Sequence, residues 1–233
     1  MLPQLTKFKG AALNLFFPQK CVGCGEEGQL LCNTCQQSLS RVMPPICPRC
    51  GKPQMSGVIC PACVSWQTNI DGIRSPFKFD GVAREAIHQL KYKNLRAMAA
   101  PLAGLLADYF IQNLIPGQIL VPVPLHPKRL KERGYNQSDL LAHELGKLIH
   151  LPVIDNCLVR TTFVLPQAKT QSVEQRRHNV KGAFSCLKSG LEEKEILLID
   201  DVSTSGATLD SCASAAKSGG AKTVWGLVMA REI

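Results

Sequence analysis

Two carboxylates stand side by side at the end of an apolar run, and a hydroxyl-rich turn follows them: Ile196-Leu-Leu-Ile-Asp200-Asp201-Val-Ser-Thr204-Ser205-Gly206-Ala207-Thr208. The four apolar residues predict a buried strand, and open α/β sheets bind ligands at the C-terminal ends of such strands. The turn then opens a helix. Hydroxyls, free backbone N–H groups and the positive end of the helix dipole would converge there on an anion, and Gly206 lets the backbone approach it closely. The plain alternative is an ordinary strand–turn–helix with an aspartate cap, but capping alone does not call for two acids and the hydroxyl–glycine run together.

The second chemical feature is cysteine. Eight of the eleven cysteines lie between positions 21 and 63, as Cys21-x2-Cys24, Cys32-x2-Cys35, Cys47-x2-Cys50 and Cys60-x2-Cys63. The units CVGCGEEGQLLCNTC and CPRCGKPQMSGVICPAC form an internal repeat, each opening CxxCG and closing CxxC. In a CxxC turn two sulfurs converge on one ion, and two turns complete a tetrahedral S4 shell. Sequential pairing gives one site from Cys21, Cys24, Cys32 and Cys35 and a second from Cys47, Cys50, Cys60 and Cys63; a crossed pairing stays open. Zinc is the default ion for such closed structural sites, and iron fits the same geometry. The module either props up the main domain or contacts nucleic acid or a protein through Lys20, Arg41, Arg49 and Lys52. Cys157, Cys186 and Cys212 have no pattern of a nucleophile around them and read as inert. His88 and His126 lack a second ligand at metal spacing, and His143 and His150 read as surface or partly buried residues.

The elements that must position these groups follow from hydrophobic periodicity. A boundary falls near 64–76, dividing a cysteine-rich module at 1–66 from a domain at 71–233. In the domain, 73–79 reads as extended, 81–92 as a helix with Val82, Ala86, Ile87 and Leu90 on one face, and 97–114 as a second helix ended by Pro116-Gly117. Then 119–123 is a short strand, 138–149 a helix, 153–154 the start of a strand, 196–199 a strand, 207–217 a helix and 223–229 a last buried strand. Strands alternating with helices predict a parallel sheet covered on both faces.

The bulk properties set limits. The chain has 233 residues, 45% of them hydrophobic, so a substantial core can form. No apolar run is long enough to span a bilayer. Lys7 and Lys9 before the apolar stretch 10–17 loosely resemble an export leader. The stretch is short, Pro18-Gln19-Lys20 follows it, and no cleavage pattern closes it, so it reads as an amphipathic lead-in packed on the body. The net charge of +9 is spread over both parts and suits anionic partners, although many soluble proteins are as basic.

The segment around Asp200 closely resembles the signature of type I phosphoribosyltransferases. The resemblance implies that Asp200 and Asp201 contact the ribose hydroxyls of a 5-phosphoribosyl pyrophosphate-type ligand, and that Thr204, Ser205, Gly206, Ala207 and Thr208 wrap the 5′-phosphate. Mg²⁺ would be held mostly by the ligand's own oxygens. Val121-Pro122-Val123-Pro124 falls where the pyrophosphate loop lies, so Val123 and Pro124 would meet the diphosphate. Lys128, Arg129, Arg133 and Asn136, with Lys169, Arg176 and Arg177 in the position of the mobile lid, would reach phosphate or DNA; the bland reading of each basic run is a solvated surface. Thr204 stands where purine-salvage relatives place an acidic base, and a threonine cannot remove a purine proton at neutral pH.

Taken in order, the paired CxxC units, VPVPLHPKRLKERGYNQ, QRRHNVKGAF and LLIDDVSTSGATL resemble the ComF family of competence proteins, including its ComFC and GntX-type members. The match runs from about Cys21 to the end. It implies a double zinc ribbon before a type I phosphoribosyltransferase-like α/β domain. It also implies a cytoplasmic protein at the inner membrane that handles incoming single-stranded DNA in natural transformation. Its partners would be a helicase-like ATPase, a membrane DNA channel and a recombination-loading protein. Two other functions remain beside this one: an active Mg²⁺-dependent phosphoribosyltransferase acting on an amine or base, and a non-enzymatic adaptor.

Overall fold

A computed structural model describes residues 18–66, 68–162, 180, 182–187 and 190–233. The lead-in expected at 10–17 and the lid positions Lys169, Arg176 and Arg177 lie outside those residues. The domain is built on a parallel sheet in the order β1 (Gly72–Arg74), β7 (Thr223–Arg231), β6 (Glu195–Ser203) and β3 (Ile119–Pro122), with β2 (Phe77–Lys78) also running parallel to β7. Val153 forms a single parallel bridge to Leu120 at the β3 edge, which is what remains of the strand expected from 153.

One face is covered by α3 (Gly81–Tyr92), α4 (Ala99–Asn113) and α6 (Gln137–Ile149), which bury Leu197, Ile199, Leu227 and Met229. The other carries α7 (Ala207–Ser218) and an antiparallel pair, β4 (Leu158–Arg160) with β5 (Phe184–Cys186), over Ile196, Leu198, Val224 and Val228. Successive strand residues thus feed opposite cores, which is why 196–199 carries no polar alternation. The expected parallel sheet with helices on both faces, behind a small cysteine-rich module, is the architecture observed.

Two elements differ from expectation. β6 does not stop at Ile199: it pairs with β7 through Val202↔Ala230 and Ser203↔Arg231, so both acids sit within the ladder. A neighbour that itself runs to Arg231 supplies hydrogen-bond partners that outweigh the low strand propensity of aspartate. The basic run after Pro124, to which no element was assigned from sequence, is the second. It forms α5 (Pro127–Arg133), with Pro127 in its first turn and His126 Nδ1 accepting from the Lys128 N–H at 3.2 Å.

The module, with its short helices α1 (Asn33–Gln37) and α2 (Pro61–Val64), is docked on the domain. The Val42 N–H donates to Pro76 O (2.9 Å), the Lys78 N–H to Ser40 O (2.8 Å) and the Ile73 N–H to Arg49 O (2.7 Å). It thereby occupies the β1–β2 edge of the sheet, which would otherwise present unpaired backbone groups. Among the described residues no helix is long and apolar enough to cross a membrane.

Candidate ligand site and metal centres

The cysteines pair sequentially. Cys21, Cys24, Cys32 and Cys35 form one cluster and Cys47, Cys50, Cys60 and Cys63 the other, with the sulfurs of each within 4.8 Å of one another. Sγ–Sγ separations of 3.6 Å for Cys24–Cys32 and 3.8 Å for Cys50–Cys60 match the edge of a tetrahedron with metal–sulfur bonds of about 2.3 Å. The glycine after each opening CxxC has the positive φ it was expected to supply, +80° at Gly25 and +71° at Gly51. That conformation closes a tight turn, with the Gly25 N–H on Cys21 O and the Gly51 N–H on Cys47 O, both 2.8 Å. Burial alone would raise the Cys21 and Cys47 thiols, but backbone N–H groups around them bring each down to about 6, whereas burial and the neighbouring thiols push Cys35 up to about 12 and raise Cys63 as well. Four converging sulfurs and no further ligand position fit zinc in a structural role.

The second cluster has a buried cation beside it. Arg231, at the end of β7, is wholly buried, donates from Nη1 to Cys50 O, and lies close enough to the four sulfurs for their charges to act on it. An isolated buried guanidinium costs several kcal/mol, and a tetrathiolate zinc centre, with its net negative charge, is the compensation at hand.

The acid pair opens on a cleft of about 470 Å³ at the C-terminal ends of β3 and β6. Lys91 from α3, Ser138 from α6, Arg129 from α5 and Arg160 from β4 come together around Asp200 and Asp201. Lys91 Nζ lies 2.8 Å from Asp201 Oδ1, and the Ser138 hydroxyl donates to Asp200 Oδ1 at 2.8 Å. Asp201 is buried, and its Oδ2 has no hydrogen-bond partner among the described residues. Burial and the neighbouring Asp201 charge push the Asp200 carboxyl up to about 7, against the pull of Lys91 and Ser138. Burial would lower the Lys91 ammonium, but the two acids outweigh it and hold it above its usual value. The cleft therefore has an acidic floor, an orphaned acceptor and cations at its walls.

Thr204 and Thr208 line the cleft, as do Val123 and Pro124. Gly206 has φ +80°, and a Cβ there would stand 2.8 Å from Ile73 Cδ1 and 3.2 Å from the Trp66 ring. Among the described residues no side chain caps α7, and its first turn shows only a long 3.4 Å contact from the Ala207 N–H to Ser205 Oγ. Gly206→Ala is expected to cost roughly 1–3 kcal/mol, from both the conformation and the crowding, and to abolish sugar-phosphate binding. Differential scanning calorimetry and titration would check the two effects, and an alanine chain of unchanged Tm would contradict the packing.

The remaining sequence candidates separate. Arg129 faces the cleft, whereas Lys128 points to solvent from α5. Arg133 donates to Gln137 Oε1 and lies over the Tyr92 ring at 5.4 Å, bordering a neighbouring hollow shared with Lys91 and Arg129. Asn136 is a brace: its Nδ2 donates to Val123 O (3.0 Å) and its Oδ1 accepts from the Ser138 N–H (3.1 Å). Burial raises the Cys157 thiol to about 11 and lifts the Cys212 thiol well above its usual value, in keeping with inert roles. His143, read as a surface or partly buried residue, has its Nε2 2.9 Å from Asp155 Oδ2 and 3.6 Å from Asp139 Oδ1 in a half-exposed cluster. A larger hollow of about 790 Å³ between β5 and α7 is lined, among the described residues, by serines, glycines and apolar side chains around the acid Glu192.

The family described as the double zinc ribbon domain matches residues 12–64, so the two clusters are structural zinc sites. Competence protein ComFC of Bacillus subtilis is 28% identical over 77% of this chain and 74% of its own length. Competence protein F of Haemophilus influenzae is 30% identical over 92% of this chain and 99% of its own length. The chain belongs to the ComF family. Another relative of this ComF-family chain is the DNA utilization protein YhgH of Escherichia coli K12, 28% identical over 83% of this chain and 87% of its own. Matched solved chains include a purine phosphoribosyltransferase from Pyrococcus horikoshii and a glutamine phosphoribosylpyrophosphate amidotransferase from B. subtilis. Both are 15% identical over 56% of this chain, covering 72% and 26% of theirs at TM-scores of 0.36 and 0.39.

Sequence reasoning missed Lys91, Ser138 and Arg160. Lys91 had a faint signal: it follows Leu90 and lies one turn beyond Ile87, at the rim of the buried helix face. Arg160 had none, because its place in the cleft is set by the β4–β5 pairing.

Proposed function

We propose that this ComF-family chain serves DNA uptake in natural transformation and binds a phosphoribosyl pyrophosphate-type ligand with Mg²⁺ in the cleft of Asp200 and Asp201. One observation carries the ligand reading. A buried carboxylate atom, Asp201 Oδ2, lacks a hydrogen-bond partner among the described residues, in a cleft that Thr204 and Thr208 also line. Buried polar atoms are satisfied in native proteins, and ribose hydroxyls donating to the acids would complete this one. The 5′-phosphate then falls on the N–H groups and hydroxyls of 204–208, and the diphosphate on the Val123-Pro124 loop. Mg²⁺ would neutralise the diphosphate, taking most of its ligands from the bound sugar and few from the chain.

Titration calorimetry of the full chain with phosphoribosyl pyrophosphate and Mg²⁺ is expected to show one site per chain. Absence of heat with that ligand, with ribose 5-phosphate and with short DNA would overturn the reading. Single-stranded DNA is the second ligand of this proposal. The four cations of α5, Lys128, Arg129, Lys131 and Arg133, stand on a helix with no buried residue, beside the cleft mouth. Binding there would weaken steeply with salt as counterions are released.

One observation favours a catalytic version. Arg160 Nε is buried at the cleft without a hydrogen-bond partner among the described residues. A guanidinium there would take up the charge of a departing diphosphate when an amine attacks the anomeric carbon. Release of pyrophosphate in the presence of an amine or base acceptor is the readout.

A further inference from the structure

The two zinc sites are attached to the domain in different ways. The first packs, through Cys21, Leu31, Cys32 and Cys35, on Val82 and Leu105 of the helices. The second is attached to the phosphate loop and the strands on either side of it.

Three contacts make that attachment. Trp66, three residues beyond the last ligand Cys63, packs on the second cluster and lies directly against Gly206, where even a methyl group would be 3.2 Å from its ring. Arg49, between the ligands Cys47 and Cys50, donates from Nη1 to Cys63 O (3.0 Å) and Trp66 O (3.3 Å), while its own carbonyl accepts from the Ile73 N–H at 2.7 Å. Ile73 also lies against Gly206, at 2.8 Å from the same Cβ position. Arg231 donates to Cys50 O from the strand position paired with Ser203, and the next residue, Glu232, donates its N–H to Ser203 O at 3.0 Å. The nearest neighbours of the Gly206 Cβ position among the described residues, Ile73 and Trp66, are thus both held by residues of the second cluster.

We propose that the second zinc site is the support of the phosphate loop, with Trp66 as the positioning residue that transmits it. Metal at Cys47, Cys50, Cys60 and Cys63 holds the α2 turn, the turn holds Trp66, and Trp66 with Ile73 fixes Gly206 in the left-handed conformation from which α7 starts. Loss of that metal releases the loop, whereas loss of metal from the first site does not. The proposal rests on the reading of the cleft as a sugar-phosphate site, and extends it: ligand binding follows occupancy of one zinc site and not of the other.

The test compares Cys60→Ser with Cys24→Ser in the full chain. Zinc per chain, affinity for phosphoribosyl pyrophosphate with Mg²⁺, and amide exchange at Asp210 and Glu232 are measured. The Asp210 N–H is bonded to Gly206 O at 2.9 Å, so its exchange reports whether the loop is held. Cys60→Ser is expected to lose one zinc, to exchange both amides at least about tenfold faster and to bind at least about tenfold more weakly. Cys24→Ser is expected to lose one zinc with neither change. Should Cys60→Ser fail to fold, Trp66→Ala, which keeps all eight ligands, decides the matter by the same faster exchange with both zinc ions retained. Unchanged Asp210 exchange in Trp66→Ala, or equal effects of the two cysteine variants, would overturn the proposal. A wild-type chain that binds no phosphoribosyl pyrophosphate would overturn the reading of the cleft instead, and the exchange measurements would still judge the support.

Discussion

Asp200→Asn is expected to abolish binding of the sugar pyrophosphate and, at the same time, to make the protein more stable. The Asp200 carboxyl is buried beside Asp201, which lifts it to about 7 in the folded chain from an ordinary value of 3.8. Between those values the folded state holds a proton that the unfolded chain has already released. Stability then falls as pH rises from about 4 to 7, because the slope follows the difference in bound protons between unfolded and folded states. Above pH 7 the whole penalty is present. A shift of about 3 units corresponds to roughly 4 kcal/mol. Solvent in the cleft and the sharing of charge with Asp201 and Lys91 reduce the usable part to about 2 kcal/mol. Asparagine removes it, so Tm at pH 8 is expected to rise by roughly 4–8 °C, with a smaller gain at pH 5. Ligand affinity moves the other way, since charge-assisted hydrogen bonds to two ribose hydroxyls are worth about 1.5–3 kcal/mol each. Calorimetry of both kinds on one preparation checks the pair of effects. A variant that binds normally, or one that loses stability at pH 8, would show that Asp200 is not the strained acid of a ligand site.

The opposing signs reflect how such sites arise. Two acids in one strand are unfavourable by propensity, by burial and by mutual repulsion, and a chain that keeps them is holding a destabilised cluster until a ligand relieves it. That conflict was legible in the sequence, because 196–201 places Asp-Asp directly after four apolar residues. The zinc sites were legible for a related reason: each CxxCG is a local turn whose glycine must take positive φ, as Gly25 and Gly51 do, so no distant contact is needed to recognise it. What the sequence hid was tertiary. Lys91 meets Asp201 only because α3 packs over the end of β6, and Trp66 meets Gly206 only because the module docks on the sheet edge. The α5 helix was obscured differently. Its charges read as a solvated run, while Pro127 at its start, the usual first-turn residue, was the available sign. The length of β6 beyond Ile199 was set by β7, whose own ladder continues to Arg231.

Lys91→Met isolates the cation of the cluster. Methionine matches lysine in length and in helix propensity, so the change at α3 is chiefly electrostatic. With the ammonium gone, Asp200 and Asp201 share a buried site with no cation 2.8 Å away. Removing one partner of a buried ion pair costs about 3–5 kcal/mol, and the solvent that reaches Lys91 brings the expectation down to about 2–3 kcal/mol at pH 8. Lys91 is one of the groups holding the Asp200 carboxyl down, so its loss raises that carboxyl further. The acids then take up a proton at higher pH, and the deficit shrinks below the shifted value: the variant is close to wild type at pH 5 and far below it at pH 8. Two additions separate this account from a simple packing defect. A second change, Asp200→Asn, should restore most of the lost Tm at pH 8, a non-additivity that a packing defect would not show. Mg²⁺ with the sugar pyrophosphate should raise the Tm of Lys91→Met by more than it raises that of the wild type, because bound cation then stands in for the missing ammonium. A loss of stability independent of pH, and additive with Asp200→Asn, would mean that Lys91 acts through its methylene chain and not through its charge.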